Sequence, residues 1–492
     1  MPFVELLAIS ERATTVALAM GKKIAPMSLF PPTANAILYP EQLARRLGNL
    51  KNILAVHHIE RLKGFVQRTA QKGAKLFTDK ETMRQYIAMD IDALETANGT
   101  YCKGLNSMEP EELVEGTVKA GKNLLLQGIS LFASVDDRIN EAFLLSNIGQ
   151  LYRLQLHCQM YFTDFSLPYD PEKEKNYVLE AVEYYQRALT TITDFRSTQF
   201  PLFESISKDL AGIYLTYAIR LQDNVQPGIM ENHLQKIAVE IREFLARAQS
   251  AYTLIRDSSK CSAKMHYIAD RSIIEIMFRF GKLSQRSAQQ CGTIGVSRKL
   301  KDYERQAVEH YSTCFNYVME KITKTAAAKS LKKQTRICLR ECMTALRAVL
   351  ESNRCSDISV RVNTTDARIR HSRRSLAAFF VSTQPLMRHL HASLSASEEE
   401  RKEFFEDASL IDLNSYRETV CLYVQYARNI VKDTLQCLMT SKNSKVLNLW
   451  KNIYRLLLQI QTTGESYNLP QSLLQLSDCA KHINGYFEKS EL

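Results

Sequence analysis

Glycine and proline are scarce in this 492-residue chain, which has 17 of one and 12 of the other. Average usage would supply roughly 34 and 25. From Val296 to Thr463 there is no glycine, and Pro385 is the one proline. Hairpins and βα turns draw on both residues, so the deficit argues against a large β-sandwich, a barrel or a doubly wound α/β enzyme. Sequence signatures of catalysis are missing as well. There is no G-x-x-x-x-G-K-[ST] loop, no G-x-G-x-x-G, no G-x-S-x-G elbow, no H-E-x-x-H and no kinase set. Gly116 to Lys122 comes nearest to a phosphate loop, but Asn123 stands where a hydroxyl is required. The long uncharged run Ile24 to Pro40 contains Pro26, Pro31 and Pro32, so it is not expected to span a membrane. A secretory leader is not expected either, because Glu5, Glu11 and Arg12 interrupt the apolar start.

What is present is an ordinary apolar fraction, 45%, enough for a sizeable core, and a net charge of +11. The 11 cysteines are odd in number and lack paired short spacings, which predicts free thiols in a reducing compartment. Cys338 and Cys342 share a helical stripe with Leu331, Ala345 and Val349 and read as core. His57-His58 and His389-x-His391 diverge at helical spacing, and His157 beside Cys158 cannot face it. No catalytic, metal or cofactor-binding residue is therefore expected, and the chain reads as a non-enzyme.

Repeats carry the positive signal. Leu145, Ile148, Gly149 and Tyr152 stand at the spacing of the first helix of a tetratricopeptide (TPR) unit, where a small residue lets two helices touch. Ala181, Tyr185 and Ala188 follow at the spacing of the second helix. Leu210, Ala211 and Tyr214 then precede Phe244, Ala248 and Ala251. Ile273, Ile276, Met277 and Phe280 precede Ala307, Tyr311 and Cys314. The small positions are taken as Gly149, Ala211 and Met277, nearly two standard 34-residue units apart. The surplus is assigned to polar inserts between helices at Asp164–Lys175, Gln222–Glu231 and Gly281–Val296.

The expected fold is all-α, a tetratricopeptide-like helical-repeat array with additional C-terminal helices. Residues 1–77 form an N-terminal segment without a clear structural signature. Residues 78–135 read as a helical pair leading into the array, 136–320 as three degenerate repeats with long inserts, 321–375 as a basic helix and loop, and 376–492 as a C-terminal helical region. In 321–374 there are 14 Lys or Arg against four acidic residues, nearly the whole net charge. Lys329, Lys333, Arg336, Arg340 and Arg347 fall on one helical arc, followed by Arg370, Arg373 and Arg374. This surface is compatible with an acidic protein partner, an import receptor, a nucleic-acid backbone or simple solvation.

The run Leu144-Leu-Ser-Asn-Ile-Gly-Gln-Leu-Tyr-Arg-Leu-Gln-Leu-His-Cys158, followed by Tyr184-Tyr-Gln-Arg-Ala-Leu189, resembles the tetratricopeptide region of the erythroid differentiation-related factor family. Leu210-Ala-x-x-Tyr214, the Tyr267 to Phe280 stretch and His310-Tyr-Ser312 fit the same succession. The resemblance covers about residues 140–315 and implies a nuclear protein of transcriptional control whose repeats contact other proteins. A cytoplasmic scaffold for a multiprotein assembly is the alternative. No catalytic residue is implied.

Overall fold

A computed structural model of the chain describes residues 40–72, 109–165, 169–224 and 231–294. Scattered positions within 12–16, 303–317, 397–399 and 448–458 are described as well. Regular structure among the described residues is helical throughout. The helices are α1 (Pro40–Lys72), α2 (Pro110–Ala133), α3 (Arg138–Phe165), α4 (Pro171–Thr191), α5 (Phe200–Asp223), α6 (Glu231–Arg256) and α7 (Ala263–Ile294). The chain forms two compact units, Met1–Asp270 and Arg271–Leu492.

Helix starts follow from local chemistry. Pro110 and Pro171 open α2 and α4, where the missing N–H costs no hydrogen bond. At α2 the Glu109 N–H donates to Glu112 Oε2 at 3.2 Å, and at α4 Asp170 Oδ1 accepts from the Lys173 N–H at 3.0 Å. Between α2 and α3 the chain reverses within four residues. Asp136 takes the left-handed conformation there (φ 49°), which a short polar side chain tolerates. Asp137 then caps α3 by accepting from the Asn140 N–H at 3.3 Å, and reaches Arg45 of α1 at 3.3 Å.

Within the first unit the helices pack as successive antiparallel pairs, α1 with α2, α3 with α4, α5 with α6. α2 also packs on α3, α4 packs on α5, and α1 lies against α3. Two layers result, α1–α3–α5 and α2–α4–α6. Polar links run along both. Asn147 Nδ2 donates to Asn52 Oδ1 at 2.9 Å, and Arg153 meets Asp209 at 2.8 Å in the first layer. In the second, Lys173 pairs with Glu111 and, at 3.2 Å, with Glu115, while Lys175 reaches Glu240 at 2.9 Å. The core between the layers is aromatic-rich: Phe65, Phe132, Phe162, Tyr185 and Tyr217 are under 2% exposed. Burying one such side chain contributes about 1.5–3 kcal/mol.

The structure departs from the sequence expectations in three places. First, helices take up much of the stretches expected to be inserts: Asp164 and Phe165 lie in α3, and Pro171–Lys175 open α4. α3, α5 and α7 have 28, 24 and 32 residues, and Gly281–Ile294 continues α7 where an insert was expected. Second, the small residue of the third repeat is Gly281, one turn beyond Met277. A Cβ on Gly281 would meet the Tyr311 ring at 2.6 Å, just as one on Gly149 would meet Tyr185 at 2.9 Å. Third, an unexpected pair precedes the repeats. In α1 and α2, Gly48 stands against Phe132, with 2.8 Å from a Cβ to the ring. The expected helix at Glu81–Glu95 lies outside the described residues.

Candidate protein-binding surface

The repeat-packing residues predicted from spacing are placed as follows. Leu145, Gly149, Ala181, Tyr185 and Ala188 are buried at the α3–α4 contact, and Leu210, Ala211 and Tyr214 are buried in α5. In the second unit Ile276, Ala307 and Tyr311 are buried, and the Tyr311 hydroxyl donates to Gln285 Oε1 at 3.0 Å. Phe280 is half-buried and stacks on His310 at 5.4 Å. The basic residues Lys329, Lys333, Arg336, Arg340, Arg347, Arg370, Arg373 and Arg374 lie outside the described residues.

Tyr152, three residues after Gly149, carries more than packing. Its ring stacks on Tyr184 at 6.0 Å, and Lys122 of α2 sits over both rings, 5.0 and 5.3 Å from their centres. Lys122 Nζ also donates to the Tyr152 hydroxyl at 2.6 Å and lies 3.6 Å from Glu180. Burial works against the ammonium, but the hydrogen bond to Tyr152 and the charge interactions with both tyrosines outweigh it and raise the lysine pKa. Tyr214 repeats the arrangement three residues after Ala211. Its hydroxyl accepts from Gln186 Nε2 of α4 at 3.2 Å, and Arg247 of α6 lies 6.0 Å from its ring. The second-layer helices are thus stitched to first-layer tyrosines one unit after another.

Where α3, α4 and α5 end and begin, a charge is buried. Arg220 of α5 donates from Nε to both Glu174 oxygens at 3.3 Å, from Nη1 to Asp164, and lies 5.5 Å from the Tyr169 ring centre. The Glu174 side chain is fully buried, and burial raises its pKa against the pull of Arg220. The bridge ties the α3–α4 connection to α5. Such a pair stabilises little by itself but is costly to break.

The histidine–cysteine neighbours sit in the opposite sense to an activated pair. Burial pushes the Cys158 thiol up, while burial and then Arg153 bring His157 down to about 4. Both are neutral near pH 7, whereas a nucleophilic pair needs thiolate and imidazolium. His58 is likewise lowered to about 4 by burial, Arg61 and His57. Among the described residues no cluster of His, Cys, Asp or Glu could hold a metal ion, and no helix is long and apolar enough to cross a membrane.

A groove of about 750 Å³ lies between α4 and α6 in the second layer. Lys175 and Leu179 form one wall, and Lys236, Val239, Phe244 and Arg247 the other. Tyr217 fixes Phe244 edge-on at 4.9 Å and 81°, so its position is set by the core. Spacing rules for repeat packing did not select the other residues, because they report on buried contacts. The available signal was smaller: Leu179 and Val239 are isolated apolar residues on otherwise polar faces.

These features define a tetratricopeptide-type helical-repeat array. Residues 102–260 match the family described as Erythroid differentiation-related factor 1-like, TPR repeats. Over 133 residues the chain is 32% identical to erythroid differentiation-related factor 1 of Mus musculus and 30% identical to that of Homo sapiens. Each match covers 25% of this chain and 10% of the relative, so the chain matches about a tenth of the relatives' length. The relationship read from the repeats is thereby shown over that stretch. It begins ahead of α2 and so takes in a helix that the repeat spacing had left outside. A solved circular tandem repeat protein with novel repeat topology and enhanced subunit contact surfaces covers 98% of this chain and 96% of its own. At a TM-score of 0.27 and 12% identity it carries no argument.

Proposed function

We propose that this chain is a non-enzymatic scaffold that gathers other proteins on its helical array and works in the nucleus in transcriptional control. The observation that carries the reading is the match of residues 102–260 to the repeats of erythroid differentiation-related factor 1. Stacked helix pairs expose broad side-chain surfaces while keeping one continuous core, an architecture suited to contact with partners. The buried, neutral His157 and Cys158 support a structural use of the residues that most resembled chemistry. The basic segment 321–375 is assigned to an import receptor or an acidic partner.

The test is the compartment and company of the full-length chain in its own cells. Proximity labelling should return nuclear transcription proteins, and replacing Lys329, Lys332, Lys333 and Arg336 by Ala should move the chain to the cytoplasm. Strictly cytoplasmic residence before the replacement would favour the cytosolic adaptor instead.

A further inference from the structure

Leu179 on α4 is 47% exposed and Val239 on α6 is 59% exposed. A lone exposed apolar residue needs no explanation, but these two line opposite walls of one groove with Phe244. The walls are helices, so a third helix fits the space by ordinary side-chain interlocking. Charge selects among such helices. Of the three cations lining the groove, Lys175 is held by Glu240 at 2.9 Å, and Arg247 by Glu243 of its own helix. Lys236 is exposed and has no ion-pair partner among the described residues. The groove therefore presents an apolar strip with one unanswered positive charge beside it.

We infer that the α4–α6 groove docks an amphipathic helix of a partner protein. Apolar side chains on successive turns of that helix seat between Leu179, Val239 and Phe244, and a carboxylate on its flank meets Lys236. This rests on the scaffold reading above and gives it a site and a ligand chemistry. A basic helix is disfavoured, because Lys236 repels it and Glu240 and Glu243 are already engaged.

The probe is a labelled amphipathic peptide of about five helical turns with Leu on one face and Glu beside it. Its counterpart has Lys in place of each Glu. Fluorescence anisotropy with the full chain should show the Glu peptide binding more tightly. The double variant Leu179→Ser/Val239→Ser should weaken it at least tenfold, as loss of anchoring side chains does. Both residues are exposed, so thermal melting should be unchanged, and an unchanged melt is required for the result to count. Lys236→Glu should reverse the preference between the two peptides. Equal binding of both peptides, binding that survives the double variant, or no binding at all would overturn the proposal. So would self-association of the chain that the double variant abolishes, because the occupant would then be a second copy. A double variant that loses the peptide but keeps every partner found by proximity labelling would also overturn the groove and leave the scaffold reading intact.

Discussion

Gly149→Ala is the sharpest test of how the array is packed. Moving glycine to alanine in a helix interior is ordinarily favourable, by about 1 kcal/mol. At Gly149 the added methyl would lie 2.9 to 3.0 Å from three atoms of the Tyr185 ring. Ordinary carbon contacts begin about half an ångström further out. Tyr185 is fully buried, so its ring cannot move aside without displacing α4. Overpacking of this kind costs about 1–3 kcal/mol. The two contributions combine to a net loss of about 1 kcal/mol. Gly116 is the internal control, since it is exposed on α2 with no atom within 4 Å of an added Cβ. Gly116→Ala should stabilise by a few tenths to about 1 kcal/mol. Urea unfolding followed by circular dichroism, on the full chain, should thus show midpoints displaced in opposite directions. Adding Tyr185→Leu to Gly149→Ala should cost less than Tyr185→Leu costs alone, because the methyl then fills vacated space. If both alanine variants were stabilised alike, the close approach of α3 and α4 would be refuted.

Three further outcomes follow from buried charge and packing. Arg220→Met leaves the Glu174 carboxylate buried without its guanidinium and should cost about 3–5 kcal/mol at pH 7. The folded pKa of Glu174 is raised, so its contribution is full below the unfolded value and lost as pH rises through the folded one. The Arg220→Met defect should therefore shrink on acidification, and Glu174→Gln/Arg220→Met should be milder than the single variant at pH 7. A pH-independent defect in urea melts would contradict this. His157 is depressed to about 4, so its contribution is full above about pH 6.5 and lost as pH falls towards 4. That loss is worth about 3 kcal/mol, and His157→Gln should flatten the acid limb of stability measured from pH 7 to 4.5. Gly281→Ala should destabilise the second unit, with the Cβ at 2.6 Å from the Tyr311 ring. Circular dichroism during unfolding of the full chain gives the readout, with Gly281→Ala melting earlier than the parent chain.

The relation of sequence to structure differs by kind of residue. Gly149 and Tyr185 were legible because a small residue and an aromatic at fixed offsets report directly on helix contact. Gly281 was missed by one turn because Met277 occupies the position that the count from Ile273 favoured. Gly281 also opens a polar stretch, Gly281–Val296, whose composition reads as an insert. The pair α1–α2 escaped because its partners are far apart in sequence, with Gly48 before and Phe132 after a long stretch without repeat spacing. Yet Leu47-Gly48-Asn49-Leu50 has the same apolar–small–x–apolar order as Ile148-Gly149-Gln150-Leu151 and Phe280-Gly281-Lys282-Leu283. The groove was the least legible, since its walls come from α4 and α6 and their apposition depends on α5 between them in the chain. Spacing within one helix carries no record of that.

The length of the helices sets how much wall each pair presents. At 28 and 21 residues, α3 and α4 are about 42 and 32 Å tall, whereas a helix of average length, about 11–12 residues, is about 17 Å. The α3–α4 wall is thus nearly twice as tall as one built from average helices. The lateral surface of the array grows with the height of its walls as well as with the number of pairs in the row.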